Sequence, residues 1–93
     1  MIKTFRGRET ERIWSRKFSK GLPRDIQVRA FMKLQQLNAA GDLKDLSTPG
    51  SNQLEALKGD RKGEYSIRIN KQRRTCFRWG GGHALDVEIV DNH

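Results

Sequence analysis

A period of two near the C-terminal end constrains this chain more than any other feature. Glu64, Ser66 and Arg68 alternate with Tyr65, Ile67 and Ile69. After Asn70-Lys71-Gln72, Arg74, Cys76 and Arg78 alternate with Thr75, Phe77 and Trp79. Past the glycines at 80–82, Asp86 and Glu88 alternate with Leu85, Val87 and Ile89. Successive strand side chains point to opposite faces, so three such runs joined by short turns predict an antiparallel meander. One face is apolar and the other charged. The apolar face needs a covering layer.

Helical spacing upstream supplies the cover. From Asp25 onward Ile26, Ala30, Leu34 and Leu37 recur on one side, with Phe31 widening the stripe. Pro23 suits the start of this helix and Gly41 its end. An earlier helix is expected from Thr10, as its cap, to about Lys20, presenting Ile13, Trp14 and Phe18. "MIKTF" reads as a short N-terminal strand closed by Gly7. Residues 42–63 carry loop chemistry around Pro49-Gly50, with Leu43, Leu46, Leu54 and Leu57 pinning the connection to the core. A connection this long in a small domain is more often functional than idle. The expectation is a single domain over 1–93 of the α/β (α+β) class. An N-terminal strand and two helices pack on a mainly antiparallel sheet that ends in the three-strand meander.

The charge is lopsided enough to name a class of partner. Nineteen Lys and Arg face eleven Asp and Glu, a net +8. Both flanks are positive and the middle is slightly negative, so the excess belongs to the folded surface. That surface favours polyanions, RNA or ribosome among them. The single cysteine, Cys76, excludes an intrachain disulfide and disfavours a thiolate metal site. No apolar run is long enough to span a membrane, and the first residues lack a signal-peptide core. These readings together imply a cytoplasmic location, no membrane association, no metal and no cofactor.

The charged face should bring Arg68, Arg74, Arg78, Asp86 and Glu88 onto one open surface. Near it in sequence stand Glu55, Lys58, Arg61 and Lys62, while Asp91, Asn92 and His93 follow the last strand. Cations for a phosphate, carboxylates and an imidazole are the groups that metal-free RNA cleavage requires. The 2′-hydroxyl must lose a proton, the leaving 5′-oxygen must gain one, and phosphoryl charge must be balanced. Asp91, two residues before His93, favours the imidazolium form. Taken alone, these residues fit a polyanion-binding face as well as a catalyst.

The segments "NQLEALKGDRKGEYSIRINKQRRTCFRW" and "DVEIVDNH" resemble the HigB-type toxins, or plasmid maintenance killer proteins, of the RelE-like superfamily. The resemblance extends over essentially the whole chain. It implies a compact sheet backed by two helices, a type II toxin, and a ribosome-dependent mRNA endonuclease needing no cofactor. Implied partners are mRNA on the ribosome, rRNA, and a cognate helix-turn-helix, HigA-like antitoxin. By the same resemblance Lys58 contacts the RNA phosphate and Arg74 meets the scissile phosphate. Asp91 and His93 form the proton-transfer end, with Glu55 as an orienting group or base. Arg61, Lys62, Arg68, Arg78 and Asn92 would contribute to RNA binding. Relatives usually carry an aromatic where this chain has Asn92, and often tryptophan where it has Arg73. A catalytically weak or inactive RNA- or ribosome-binding module of the same fold is the competing reading.

Overall fold

The sheet forms where the alternation lies. The computed structural model describes residues 1–17 and 19–91. Its strands are β1 (Glu55–Ala56), β2 (Glu64–Arg68), β3 (Arg73–Gly80) and β4 (His83–Asp91), ordered β1-β2-β3-β4. Every neighbouring pair is antiparallel. Tyr65 pairs with Phe77 and Ile67 with Thr75, which brings the apolar residues of β2 and β3 onto one face.

Two helices cover that face, α1 (Arg8–Trp14) and α2 (Arg24–Ala39). In α2 the buried residues are Ile26, Ala30, Leu34 and Leu37, the stripe expected from spacing. They meet Ile67, Phe77 and Val87 from the sheet and Leu46 from the connection. Burying each large apolar side chain contributes about 1.5–3 kcal/mol before entropy is counted. Pro23 immediately precedes α2 without a side-chain cap, and the chain turns extended at Ala40, just before Gly41.

The first helix is shorter than its pattern suggests. It begins after Gly7 and stops at Trp14 rather than near Lys20, because Arg16 adopts φ 61. The Arg16 guanidinium lies 4.9 Å from the centre of the Phe31 ring. Phe18, expected on this helix, lies outside the described residues. Thr10 is not a cap but a buried residue inside α1, and its Oγ1 accepts a hydrogen bond from the Ile89 N–H at 3.0 Å. Satisfying that amide outweighs capping, since a buried unpaired N–H costs about 1–3 kcal/mol.

"MIKTF" runs alongside β4 without becoming a continuous strand. Ile2 and Phe5 make isolated parallel bridges to Ala84 and Val87. The Lys3 N–H donates to the Ala84 carbonyl at 2.8 Å, and the Arg6 N–H to the Val87 carbonyl at 2.9 Å. Between the bridges β4 bulges. Cys76 faces Glu88 but Arg78 faces Leu85, so Asp86 and Val87 together stand opposite Phe77. Asp86 takes φ 52, the left-handed conformation such bulges use, which Asp tolerates better than most residues. The extra residue resets the alternation. Ala84, not Leu85, is fully buried, and Leu85 pairs beside Arg78 on the charged side.

The 42–63 connection contains more order than its composition implies. It comprises 3₁₀ turns at Leu43–Ser47, Gly50–Asn52 and Gly59–Arg61, together with β1. Leu46 anchors it, while Leu43 and Leu54 pack at the edge of the core. Asn52 is the polar anchor. Fully buried, its Nδ2 donates to Gln36 Oε1 at 3.0 Å and the Leu46 carbonyl at 3.1 Å, and its Oδ1 accepts from Lys33 Nζ.

Candidate active site

The charged face is not an open surface. Glu64, Ser66, Arg74 and Cys76 are all buried beneath the connection that ends in β2. Arg61, on the last 3₁₀ turn, donates to Glu64 Oε1 and to Glu88 Oε1, each at 3.0 Å. Its guanidinium therefore spans from β2 to β4. The hydrogen bond that Arg61 donates to Glu88 foremost, with Glu64 adding, holds the Arg61 pKa above its ordinary value. Burial pushes the Cys76 thiol up, which keeps it protonated and unreactive near neutral pH.

Arg6, which the alternation could not flag, completes this network. It lies 3.6 Å from Glu64, 3.7 Å from Asp86 and 4.0 Å from Glu88. Arg78 pairs with Asp86 at 3.5 Å. Two of the expected RNA-binding cations, Arg61 and Arg78, thus already neutralise carboxylates. Lys58, Lys62 and Arg68 make no ion pair with any described residue.

Arg74 is the centre of the candidate site. It projects from β3 directly across from Arg68 and is only 6% exposed. Its Nε donates to Ser66 Oγ at 2.7 Å, and one terminal nitrogen donates to the Gln53 carbonyl. The same nitrogen stands 3.7 Å from Glu55, in β1 beyond β2. Gln53 presents its carbonyl from a left-handed turn at φ 45, and no sequence pattern announces a backbone acceptor of that kind. The fork is oriented before any ligand arrives. A fixed cation beside a half-solvated carboxylate can bind a phosphoryl group and accept a proton near it.

Lys58 sits exposed where the last 3₁₀ turn begins, three residues beyond Glu55. Gly59 opens that turn at φ 65 and Gly63 follows it at φ 95, so "KGDRKG" is a tight, glycine-permitted loop that presents its lysines to solvent. Asp91 does not join Arg74. The register sets Val90 opposite Arg74 and Asp91 opposite Arg73, so Asp91 leaves from the other face of the sheet. There its Oδ1 lies 3.2 Å from Arg73 Nε. Arg73, mostly buried, is held by that ion pair. Asn92 and His93 lie outside the described residues. Among the described residues no cluster of His, Cys, Asp and Glu could hold a metal ion.

Residues 3–93 match the family described as the RelE-like toxin of type II toxin-antitoxin system HigB. The chain belongs to that family. It is 45% identical over 72 residues to Toxin HigB-1 of Vibrio cholerae, covering 77% of this chain and 75% of that one. It is 28% identical to Endoribonuclease HigB of Proteus vulgaris over 93 residues and the full length of both. The YoeB-YefM complex from Staphylococcus aureus shares the fold, with a TM-score of 0.56 at 18% identity over 100% of this chain and 98% of that one. A conserved Helicobacter pylori protein solved in solution shares it too, at TM-score 0.55 and 15% identity over 96% of this chain and 94% of that one. This HigB-like toxin thus has the α+β fold expected of it. No helix among its described residues is long and apolar enough to cross a membrane.

Proposed function

We propose that this HigB-like toxin cleaves mRNA on the translating ribosome by metal-independent acid–base chemistry, acts in the cytoplasm, and is silenced by a HigA-like helix-turn-helix antitoxin. The observation that carries the reading is Arg74, a buried guanidinium held in a fixed orientation beside Glu55. Arg74 balances charge on the scissile phosphate, and Lys58 approaches a phosphoryl oxygen from its exposed loop. Glu55 is the carboxylate nearest that cation among the described residues and serves as base or orienting group. His93 protonates the leaving oxygen. Asp91, paired with Arg73, acts by positioning the strand end that leads to His93. Lys62 and Arg68 contact the flanking backbone and rRNA. Arg61 and Arg78 contribute chiefly by shaping the face, because carboxylates already occupy them.

The test compares wild type with an Arg74→Ala, His93→Ala double variant after induction. Primer extension then maps mRNA 5′ ends, with and without an inhibitor that clears ribosomes from message. Cuts present only in the wild type, and only on translated message, support the reading. Identical profiles would leave a ribosome-binding module without turnover.

A further inference from the structure

A second cluster of cations lies away from the Arg61–Glu64–Glu88 network. Between α2 and the turn joining β2 to β3 is a cleft of about 690 Å³. Arg29 and Lys33 enter it from α2, and Arg68 and Lys71 from the hairpin, with Gln36 and Asn70 among its polar groups. Among the described residues no carboxylate lines it, and none of the four cations makes an ion pair with a described residue. Lys33 donates a hydrogen bond to the neutral amide of Asn52. Burial, and secondarily the charge of Arg29, lowers the Lys33 pKa, as expected of an ammonium lacking an anion. Elsewhere this protein neutralises clustered arginines with Glu64, Asp86 and Glu88. Here it has left the positive charge in place.

Position gives the cleft its role. Arg68 stands directly across from Arg74 in the β2–β3 ladder, so it links the cleft to the candidate catalytic cation. We propose that this cleft binds the phosphate backbone of the single-stranded RNA whose neighbouring phosphate is held at Arg74. The proposal rests on RNA being the substrate. It adds a subsite that steers the strand across the β2–β3 hairpin towards α2. Amide and ammonium donors match phosphoryl oxygens and ribose hydroxyls, and an unneutralised cationic groove suits a backbone track. An acidic protein segment is the alternative occupant, and continuity with Arg74 favours RNA.

The experiment measures binding of a fluorescein-labelled 2′-O-methyl RNA, which lacks the attacking hydroxyl, by anisotropy across a salt series. Arg29→Gln/Lys71→Gln changes two exposed residues, so folding, checked by circular dichroism, is preserved. Lys3→Gln/Lys44→Gln removes equal charge from residues that do not line the cleft. Each phosphate contact on single strands adds about 0.7 to the slope of log K against log salt, so the cleft variant should lose about 1.4. The control variant should retain the wild-type slope. An unchanged slope in the cleft variant overturns the proposal, as does wild type that binds no RNA. Loss of affinity for a polyglutamate peptide with RNA binding intact also overturns it, in favour of a protein partner. RNA binding that depends on the cleft, together with absent cleavage, would refute the proposed enzyme and leave the subsite standing.

Discussion

Replacing Arg74 with lysine separates the charge of this residue from its geometry. The side chain keeps its positive charge and comparable length but loses the planar fork. At present Nε reaches Ser66 Oγ at 2.7 Å while a terminal nitrogen reaches the Gln53 carbonyl, so one residue ties β2 to the connection that carries Lys58. A lysine ammonium can satisfy one of these acceptors. Losing a single charge-assisted hydrogen bond costs about 1.5–3 kcal/mol, and leaving a buried polar partner unmatched adds about 1–3 kcal/mol if nothing relaxes. Because Ser66 is fully buried, partial relaxation leads to an expected total of about 2–4 kcal/mol. For a domain of this size the midpoint of thermal unfolding should fall by roughly 10 °C or more. Urea titration should show a lower midpoint with an unchanged slope, and mRNA cleavage, assayed where both proteins remain folded, should drop at least about tenfold. A stability loss under about 0.5 kcal/mol, the range of ordinary surface substitutions, would refute the idea that this fork holds the connection. Undiminished cleavage would refute the claim that orientation, beyond charge, matters at the phosphate.

Four further outcomes are expected. Asn52→Ala removes an amide that joins α2 to the connection and should cost about 2–3 kcal/mol by urea titration, while a cost below 1 would show that water replaces it. Asp86→Val forces a β-branched residue into φ 52 and should destabilise by about 1–3 kcal/mol, whereas Asp86→Gly should be near neutral by calorimetry. Lys33 is held below lysine's ordinary 10.5, so the unfolded chain binds more protons just under that pH. Stability should therefore rise with pH through that alkaline window, and Lys33→Met should remove this component from a pH series of urea midpoints. Asn92→Tyr, which supplies a ring able to stack on a base for about 1–3 kcal/mol, should strengthen growth arrest, and equal arrest would dismiss that role.

The two-layer fold and its core were legible because they rest on local repeats. Period two over 64–80 located β2 and β3, and the spacing of Ile26, Ala30, Leu34 and Leu37 located α2 and its buried side. What failed was parity beyond an irregularity. One left-handed residue, Asp86, moved Leu85 off the core and Ala84 onto it. Asp91, grouped with Arg74 by chemistry and not by parity, lies on the opposite face beside Arg73, the side its spacing from Val87 and Ile89 gives. Glu55 and Lys58 stood out by residue type, but Gln53, Ser66 and Arg6 did not, because a backbone carbonyl, a buried hydroxyl and a distant arginine leave no periodic trace.

The sequence by itself determined the class of fold, the helix-covered face, the basic character and the resemblance to HigB-type toxins. These follow from hydrophobic period, composition and contiguous motifs, which need no knowledge of long-range contacts. Only the tertiary structure decided which cations remain available. Arg61 and Arg78 are paired with Glu88 and Asp86, while Arg29, Lys33, Arg68 and Lys71 share a cleft that no carboxylate among the described residues enters. Side chains dozens of residues apart in sequence either neutralise one another or leave a field unbalanced. That outcome depends on distance and burial, which a linear pattern does not encode.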